Sequence, residues 1–371
     1  MRKNNVLGLV FPNVHDELMV EMTAKRSMGS VPFCGRYRLV DFSLSNLVNA
    51  GVSKVGVVTK ANYQSLMDHI GTGKAWDLDR KSGGLYFLPP YSNDEAKVYV
   101  GHIDGLFGAM NFLRHSKEDY VVLCDADVIT NFNLGDMIER HIKSGADVTI
   151  AYKNGKMPAN HHDVMAFELQ GDKVTDITFA MGDSNCNFSL DMTVMSREKL
   201  IEIVNYGYEH NLTSLARDIF HRSLGTLDIR GYEVKEYAAV MDGPESYARI
   251  TREILSSAEI RRQLFNKERP VFTKTRDDMP TIYGLESDVK NSLIGDGCVI
   301  EGTVKNSVIF RGAKIGHGAI VENCIVMQDS VIEENAEIRY VTLDKKVKVG
   351  AYKTLNGSEI YPIYVRKNSE V

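Results

Sequence analysis

The sequence predicts an α/β domain with a doubly wound sheet, followed by a parallel β-helix. Over the first ~250 residues, apolar strand-like segments alternate with amphipathic helical segments, an alternation typical of doubly wound sheets. From about Val289 onward, aliphatic residues return about every six residues and are often followed by glycine. This is the hexapeptide pattern of a parallel β-helix, in which three six-residue faces close one coil.

The first domain is predicted from its apolar segments and their flanks. Residues 6–11 form a short apolar run that predicts a buried parallel strand. Further strands are predicted over 55–59, 120–124 and 147–152, and helices over 63–70, 134–144 and 244–265. Residues 272–283, with Pro270 just before them and Pro280 within them, indicate a linker. The predicted boundaries are 1–265 for the first domain, 266–288 for the linker and 289–371 for the β-helix.

A four-residue segment, first seen as Asn291-Ser292-Leu293-Ile294, recurs in similar form in the second domain. It starts at Asn291, Asn306, Asn323 and Tyr340, at steps of 15, 17 and 17 residues. Each coil buries its aliphatic residues against the next coil. The pattern predicts three to four coils, few enough to suggest stacking on another domain or subunit.

Composition limits the possible functions. The chain has 371 residues and a formal net charge of −5, so no basic surface favours nucleic acid. Five scattered cysteines without a CxxC pair argue for a reducing compartment and against zinc. The apolar run after Arg2 and Lys3 is too short for a signal peptide, and no stretch is long enough to span a membrane. These features predict a cytoplasmic protein.

The loop after the first strand lacks the residues that bind phosphate. Residues 12–19 contain no glycine, although a phosphate loop needs glycines to bring backbone N–H groups around the ligand. Val14 is β-branched and disfavours a positive φ. Asp16 and Glu17 add negative charge. The residues themselves leave two readings open: a degenerate nucleotide loop, or an ordinary strand-to-helix loop that never bound phosphate.

The segment from Arg26 to Asn46 resembles the stretch that follows the nucleotide loop in bacterial glucose-1-phosphate adenylyltransferases (ADP-glucose pyrophosphorylases). Within that family it is most similar to the GlgD-type subunit, the partner of the catalytic GlgC-type subunit. The resemblance runs nearly end to end. It implies a nucleotidyltransferase-like (Rossmann-like) domain and a left-handed β-helix.

The resemblance also implies that catalytic side chains have been lost. Leu18 falls on the arginine of the family's nucleotide loop, and Met28 on the lysine that contacts the substrate phosphates. Phe179 and Ala180 fall on the glutamate and lysine that bind glucose 1-phosphate. Val240 falls on an aspartate that binds the catalytic magnesium. The chain is therefore expected to be catalytically deficient by itself.

One metal position is retained. Asp127 matches the family's other magnesium ligand, and Asp242 lies two residues beyond Val240, where a shifted strand end could still present it. We expect a vestigial magnesium position at Asp127, no cofactor requirement in this chain, and Mg²⁺ in the catalytic partner. The run His161-His162-Asp163 resembles a metal cluster, but the favoured interpretation is a solvated polar loop.

The resemblance further implies a site for phosphorylated allosteric effectors between the two domains. Lys25, Arg26 and Arg38 match the cations that contribute to it, and Arg339 on a β-helix turn is a further candidate. The alternative for each is a solvated surface cation.

Three hypotheses on function follow. The first is a non-catalytic or weakly active regulatory subunit of glucose-1-phosphate adenylyltransferase in glycogen synthesis, assembled with a GlgC-type partner in a tetramer and responding to phosphorylated metabolites. The second is an active sugar-phosphate nucleotidyltransferase with an atypical loop. The third is a hexapeptide-repeat acyltransferase or scaffold, for which His317 in a β-helix turn would be the general base.

Overall fold

The computed structural model describes residues 5–90, 100–161, 164–179 and 185–371. The N-terminal domain contains a nine-stranded mixed sheet. Across the sheet the strands are Gly84–Leu88, Lys54–Val58, Val6–Phe11, Tyr120–Asp125, Asn185–Ser196, Val148–Lys156, Ile229–Glu233, Lys173–Thr178 and Ala166–Gln170. The first four strands are parallel, and Asn185–Ser196 runs antiparallel to both of its neighbours.

The central strand Val6–Phe11 explains why helices cover both faces of the sheet. Val10 packs in one hydrophobic core with Leu47, whereas Leu9 packs in a second core with Leu113. Successive side chains of a strand point to opposite faces, so an entirely apolar strand requires a core on each side. The predicted α/β class is confirmed.

The helices of this domain follow the predicted alternation. They are Val20–Thr23, Leu39–Asn49, Gln64–Ile70, His102–Gly108, Met110–His115, Leu134–Ser144, Arg197–Glu209, Pro244–Ser256 and Ala258–Leu264. Short 3₁₀ turns lie at Asp16–Met19, Met28–Ser30 and Lys74–Trp76, and Leu215–Phe220 is a π-helix. The single helix predicted over 244–265 is two helices, because Ser257 is extended and its side chain accepts the Ile260 backbone N–H at 3.2 Å.

Two small antiparallel sheets of two strands each complete the domain. Pro32–Phe33 pairs with Tyr37–Arg38, and Val128–Thr130 pairs with Ala238–Val240. Among the described residues, no helix has the length and apolar character needed to cross a membrane.

The C-terminal domain is a β-helix with three faces, each a parallel sheet of five strands. The first face contains Ile282–Tyr283, Val299–Ile300, Lys314–Ile315, Val331–Ile332 and Lys348–Val349. The second contains Asp288–Lys290, Thr303–Lys305, Ile320–Glu322, Glu337–Arg339 and Thr354–Asn356. The third contains Leu293–Ile294, Val308–Ile309, Ile325–Val326, Val341–Leu343 and Ile363–Val365.

Five stacked strands per face exceed the three to four coils predicted. The first strand, Ile282–Tyr283, lies within the stretch assigned to the linker and pairs with Val299–Ile300. The recurring pattern marks the corners: Asn291, Asn306 and Asn323 have φ of 46°, 47° and 55°. Asparagine tolerates this left-handed conformation better than most residues, which explains its repetition.

The two domains share one hydrophobic core. Phe33 and Ile250 of the first domain pack in the same cluster as Val308, Phe310 and Met327 of the β-helix. The short β-helix is thus stabilised by stacking on the first domain of its own chain, one of the two possibilities that the sequence left open.

Candidate functional site

The loop after the first strand is closed by its own side chains. Asn13 is fully buried, and its Nδ2 donates to Asp16 Oδ2 at 2.9 Å and to the Ala61 carbonyl oxygen at 3.0 Å. Asp16 Oδ1 accepts the Met28 backbone N–H at 2.7 Å. Burial raises the pKa of Asp16 to about 6. Within the described stretch 12–19 no residue has a positive φ, so the loop presents a carboxylate and lacks the amide nest that binds phosphate.

Apolar packing replaces the two cations expected near the nucleotide. Met28 is 2% exposed and packs with Met19 and Met22 in the interdomain core. Leu18 is half-buried and packs against the same core. Flexible methionine side chains fill the space in which the resemblance would place a charged group.

Three histidines and three aspartates meet at the carboxyl ends of the central strands. This histidine–aspartate cluster comprises His15, His102, Asp125, Asp127, His161 and Asp191. Its members come from separate segments: the loop after Val6–Phe11, the end of Tyr120–Asp125 and the loop after Val148–Lys156 each contribute. The carboxyl ends of strands are where doubly wound sheets bind ligands.

Asp127 lies at the centre of this cluster. His15 Nδ1 donates to Asp127 Oδ2 at 2.8 Å, and His161 Nε2 approaches the same oxygen at 3.2 Å. The centroids of the two imidazole rings are 4.0 Å apart. Asp125 is held separately by His102 Nε2, which lies 2.9 Å from both carboxylate oxygens.

The cluster balances its own charges. Burial opposes a charge on His15, but the Asp127 and Asp125 carboxylates outweigh it and raise the pKa of His15 to about 10. Burial likewise opposes ionisation of Asp127, yet His15 and His161 hold its pKa well below the usual range. Burial and the neighbouring Asp125 raise the pKa of Asp191 to about 6. The His15 and His161 imidazoles therefore lie where the resemblance places a metal ion.

These residues do not fit Mg²⁺. The ion prefers an octahedral set of oxygen ligands, whereas Asp127 is contacted by two ring nitrogens. Val240 is buried and pairs with Val128 in a strand. Asp242 is buried, and its Oδ2 accepts the Asn160 backbone N–H at 3.1 Å. The expected magnesium position is thus occupied by imidazole groups.

The interpretation of His161 as a solvated residue is wrong. Its side chain is 1% exposed and joins the buried cluster. His162, Asp163 and Ala180 lie outside the described residues. His15 and His102 were not predicted from the sequence as site residues. Their positions were a usable signal, because both histidines follow or face the carboxyl ends of neighbouring parallel strands.

Phe179, which the resemblance places at a sugar-phosphate contact, packs its ring against neighbouring side chains. It packs against the core that contains Ile177, and its ring lies beneath the Arg217 guanidinium at 4.3 Å from the ring centroid.

Two of the predicted effector-binding cations lie between the domains. Arg26 is 3% exposed, and its Nη2 donates to both Asp344 carboxylate oxygens at 2.8 Å. Arg38 Nη1 donates to the Ser65 carbonyl oxygen at 2.6 Å and to Ser65 Oγ at 2.9 Å. Lys25 is exposed beside them in sequence. Arg26 therefore connects the first domain to the β-helix.

Lys345 is the cation that sequence reasoning missed. Burial, with Arg38 and Arg26 nearby, lowers the pKa of Lys345 to about 6. Burial also lowers the pKa of Arg38 to about 10, and Arg26 adds to that effect. We call Arg26, Arg38 and Lys345 the interdomain cation cluster. At Lys345, the two arginines oppose the positive charge more strongly than Asp344 favours it, and such a site favours an anion.

Arg339 and His317 form other contacts. Arg339 lies on the second face of the β-helix, where it pairs with Glu337 at 2.7 Å and Glu322 at 3.6 Å. His317 is exposed and pairs with Glu286 at 2.8 Å. The structure brings Lys345, rather than Arg339, to Arg26 and Arg38.

Comparison with known proteins agrees with this architecture. The Nucleotidyl transferase family matches residues 19–178, and the family described as GlmU-like, C-terminal hexapeptide matches residues 281–357. The chain is 33% identical over 368 residues to the glycogen biosynthesis protein GlgD of Bacillus subtilis (strain 168), covering 99% of this chain and 97% of that protein. This chain belongs to the GlgD glycogen biosynthesis protein family.

The relatives include a second GlgD and a protein named glucose-1-phosphate adenylyltransferase. The chain is 36% identical over 323 residues to GlgD of Geobacillus stearothermophilus, covering 86% of this chain and 83% of the relative. It is 31% identical over 332 residues to the glucose-1-phosphate adenylyltransferase of Pseudothermotoga lettingae, covering 86% of this chain and 77% of that protein. The resemblance stated from the sequence is confirmed.

Proposed function

We propose that this chain acts in glycogen biosynthesis as a regulatory subunit with little or no adenylyl transfer activity of its own. It assembles with a catalytic GlgC-type glucose-1-phosphate adenylyltransferase and sets that enzyme's response to phosphorylated metabolites. Its five cysteines are unpaired thiols, which fits the reducing cytoplasm.

The histidine–aspartate cluster is the observation that carries this proposal. Adenylyl transfer depends on positioning and on charge stabilisation by Mg²⁺ and cationic side chains. Here imidazoles surround Asp127, and Asp16 closes the nucleotide loop. Losing one charge-stabilising donor typically costs about 10²–10³ in rate, and several are replaced here.

The first experiment measures ADP-glucose formation by the chain alone, by a GlgC-type subunit alone and by the co-expressed pair. We expect turnover by the chain alone far below the enzyme median of ~10 s⁻¹, and a mixed oligomer, expected to be a tetramer, that differs from the catalytic subunit in its effector response. Separate elution of the two proteins at micromolar concentration would contradict the assembly proposal. Ordinary turnover by the isolated chain would instead support an active enzyme with an atypical loop.

The interdomain cation cluster supports the effector part of the proposal. A phosphorylated metabolite would neutralise the mutual repulsion of Arg38 and Lys345, and guanidinium groups suit oxyanions because they offer several donors in a fixed fork. Asp344 already engages Arg26, so Arg38 and Lys345 are the groups left to meet an anion.

The second experiment compares Lys345→Gln and Arg38→Ala in the mixed oligomer, with Lys346→Gln as the matched control. Lys346 is the exposed neighbour of Lys345. Removing one charge-assisted contact costs about 1.5–3 kcal/mol, which is roughly a ten- to hundred-fold weaker effector response. The control should leave the effector curve unchanged. Equal curves for all three variants would place the effector site elsewhere.

A further inference from the structure

Three buried residues from distant parts of the chain each present a metal-ligating atom to the others. His15, Asp127 and His161 each offer one such atom, and all three atoms lie within 4.8 Å of one another. Their side chains are 6%, 1% and 1% exposed. These three residues of the histidine–aspartate cluster thus form a potential metal-ligand set of two imidazole nitrogens and one carboxylate.

We propose that His15, Asp127 and His161 bind a divalent transition-metal ion of the Zn²⁺ type. Imidazole favours Zn²⁺, Co²⁺, Ni²⁺ and Cu²⁺, whereas Mg²⁺ prefers oxygen ligands. The sequence expectation was against zinc, because the chain has no CxxC pair; that argument concerns cysteine ligands. It does not bear on ligands that only the fold brings together.

The observed spacing is close to what such an ion requires. Zinc bonds of about 2.0–2.2 Å in a tetrahedron place neighbouring ligand atoms about 3.3 Å apart. His15 Nδ1 and His161 Nε2 lie 2.8 and 3.2 Å from Asp127 Oδ2. A movement of about half an ångström would separate the three ligand atoms enough to admit the ion.

One unsatisfied polar atom belongs to the proposed ligands. Asp127 Oδ1 is buried and has no hydrogen-bond partner among the described residues. Buried polar atoms without partners are uncommon and call for an explanation, such as an unseen ion or water. Asp127 Oδ1 provides a second oxygen on the same carboxylate for the ion.

The surroundings can also supply a fourth ligand and balance the charge. A cavity of about 40 Å³, lined in part by His15, Asp125 and Asp191, adjoins the site. It is large enough for a water molecule, which would complete a tetrahedron. Asp125 Oδ2 lies 3.8 Å from His15 Nδ1, so a second carboxylate faces the ion.

A bound ion would fasten the closed nucleotide loop to the strand ends. His15 lies in that loop, Asp127 follows strand Tyr120–Asp125, and His161 follows strand Val148–Lys156. The metal would therefore stabilise the closed conformation and carry no substrate phosphate. This inference does not depend on the regulatory role proposed above.

The test uses the full chain, stripped of metal with a chelator and titrated with Zn²⁺ by calorimetry and with Co²⁺ by visible absorption. His15→Asn and His161→Gln each place an amide nitrogen where the ligating ring nitrogen was, so the hydrogen bond to Asp127 is kept while the metal ligand is lost. His69→Gln is the matched control, because His69 forms a similar buried bond to Asp41 at 2.6 Å outside the cluster.

We expect one equivalent of metal per chain, an intense tetrahedral Co²⁺ band, and no displacement by excess Mg²⁺. Each variant should weaken binding about 100-fold or more, since even the loss of outer-shell partners costs 10–100-fold. The control should bind as the wild type does. Stoichiometric binding should also raise the melting temperature of the wild type and not of the variants.

Three results would overturn the proposal. One is failure of the stripped wild-type chain to bind Zn²⁺ or Co²⁺. Another is binding that survives in both His15→Asn and His161→Gln, which would place the metal at a surface pair such as His317 and Glu286. The third is full displacement of Co²⁺ by Mg²⁺. If one of the two variants fails to fold, loss or survival of binding in the other variant decides where the metal lies.

Discussion

Replacing Asp344 with asparagine tests whether a buried charge pair holds the two domains together. Arg26 and Asp344 have side chains that are each 4% exposed, and Arg26 Nη2 lies 2.8 Å from both carboxylate oxygens. Tyr364 donates its hydroxyl to Asp344 Oδ2 at 2.7 Å. The substitution removes the negative charge and leaves Arg26 buried beside Arg38 and Lys345.

The magnitude follows from this burial. Removing one partner of a buried ion pair costs about 3–5 kcal/mol, because the remaining charge is neither solvated nor compensated. Asparagine keeps one acceptor oxygen for Arg26 or Tyr364, so we expect about 3 kcal/mol of lost unfolding free energy. Asp172→Asn is the control: Asp172 pairs with Arg230 at 3.1 Å but is 62% exposed, and exposed pairs contribute about 0–1 kcal/mol.

The assay is equilibrium unfolding followed by two signals. Trp76 is the single tryptophan of the chain and lies in the first domain, so its fluorescence reports that domain alone. Far-ultraviolet circular dichroism also reports the β-helix. We expect the two transitions to coincide in the wild type and to separate in Asp344→Asn. A loss below about 1 kcal/mol, equal to that of the control, would refute the reasoning.

Three further predictions concern other parts of the chain. Sulfate should bind the interdomain cation cluster more tightly as pH falls from about 8 to 6, because its binding protonates Lys345, whose pKa is about 6. Sulfate is the probe because it does not titrate in this range. Calorimetry on the wild type and Lys345→Gln measures the effect, and an equal pH dependence of the two proteins would contradict it. Gly29→Ala should lower the free energy of unfolding by about 1–3 kcal/mol, because the new Cβ would lie 2.8 Å from Pro12 Cβ. Gly108→Ala is the control: its new Cβ would have no neighbour within 4 Å, so this variant should not destabilise the protein. The pKa of Asp16 is raised to about 6, so the folded state binds its proton more tightly than the unfolded state does. The contribution of Asp16 to the free energy of unfolding should therefore fall as pH rises from about 4 through 6. Asp16→Asn should abolish this pH-dependent contribution in unfolding titrations, and an unaltered pH profile of stability would argue against the prediction.

Local patterns in the sequence located four of the nine strands of the main sheet and most of the β-helix. The strand predicted over 120–124 is Tyr120–Asp125, and the helix predicted over 134–144 is Leu134–Ser144. Hydrophobic periodicity reports which face of an element is buried, and both segments have clear patterns. The β-helix was predicted for the same reason, while its first strand was missed because Ile282–Tyr283 follows a proline-containing stretch.

Residue type alone led to the prediction that catalytic side chains are missing. Met28 and Val240 carry no charge in any conformation, so their inability to hold phosphate or metal follows from residue type alone. Burial of Met28 among Met19 and Met22 then agreed with that prediction.

Only the tertiary structure decided what replaced those side chains. His15 and Asp127 are 112 residues apart, and His161 and Asp127 are 34 apart, yet both imidazoles reach one carboxylate oxygen. Lys345 and Arg26 are likewise joined only by stacking of the β-helix on the first domain. Periodicity describes each element separately, whereas the meeting of side chains depends on strand order and domain packing, which no local pattern encodes.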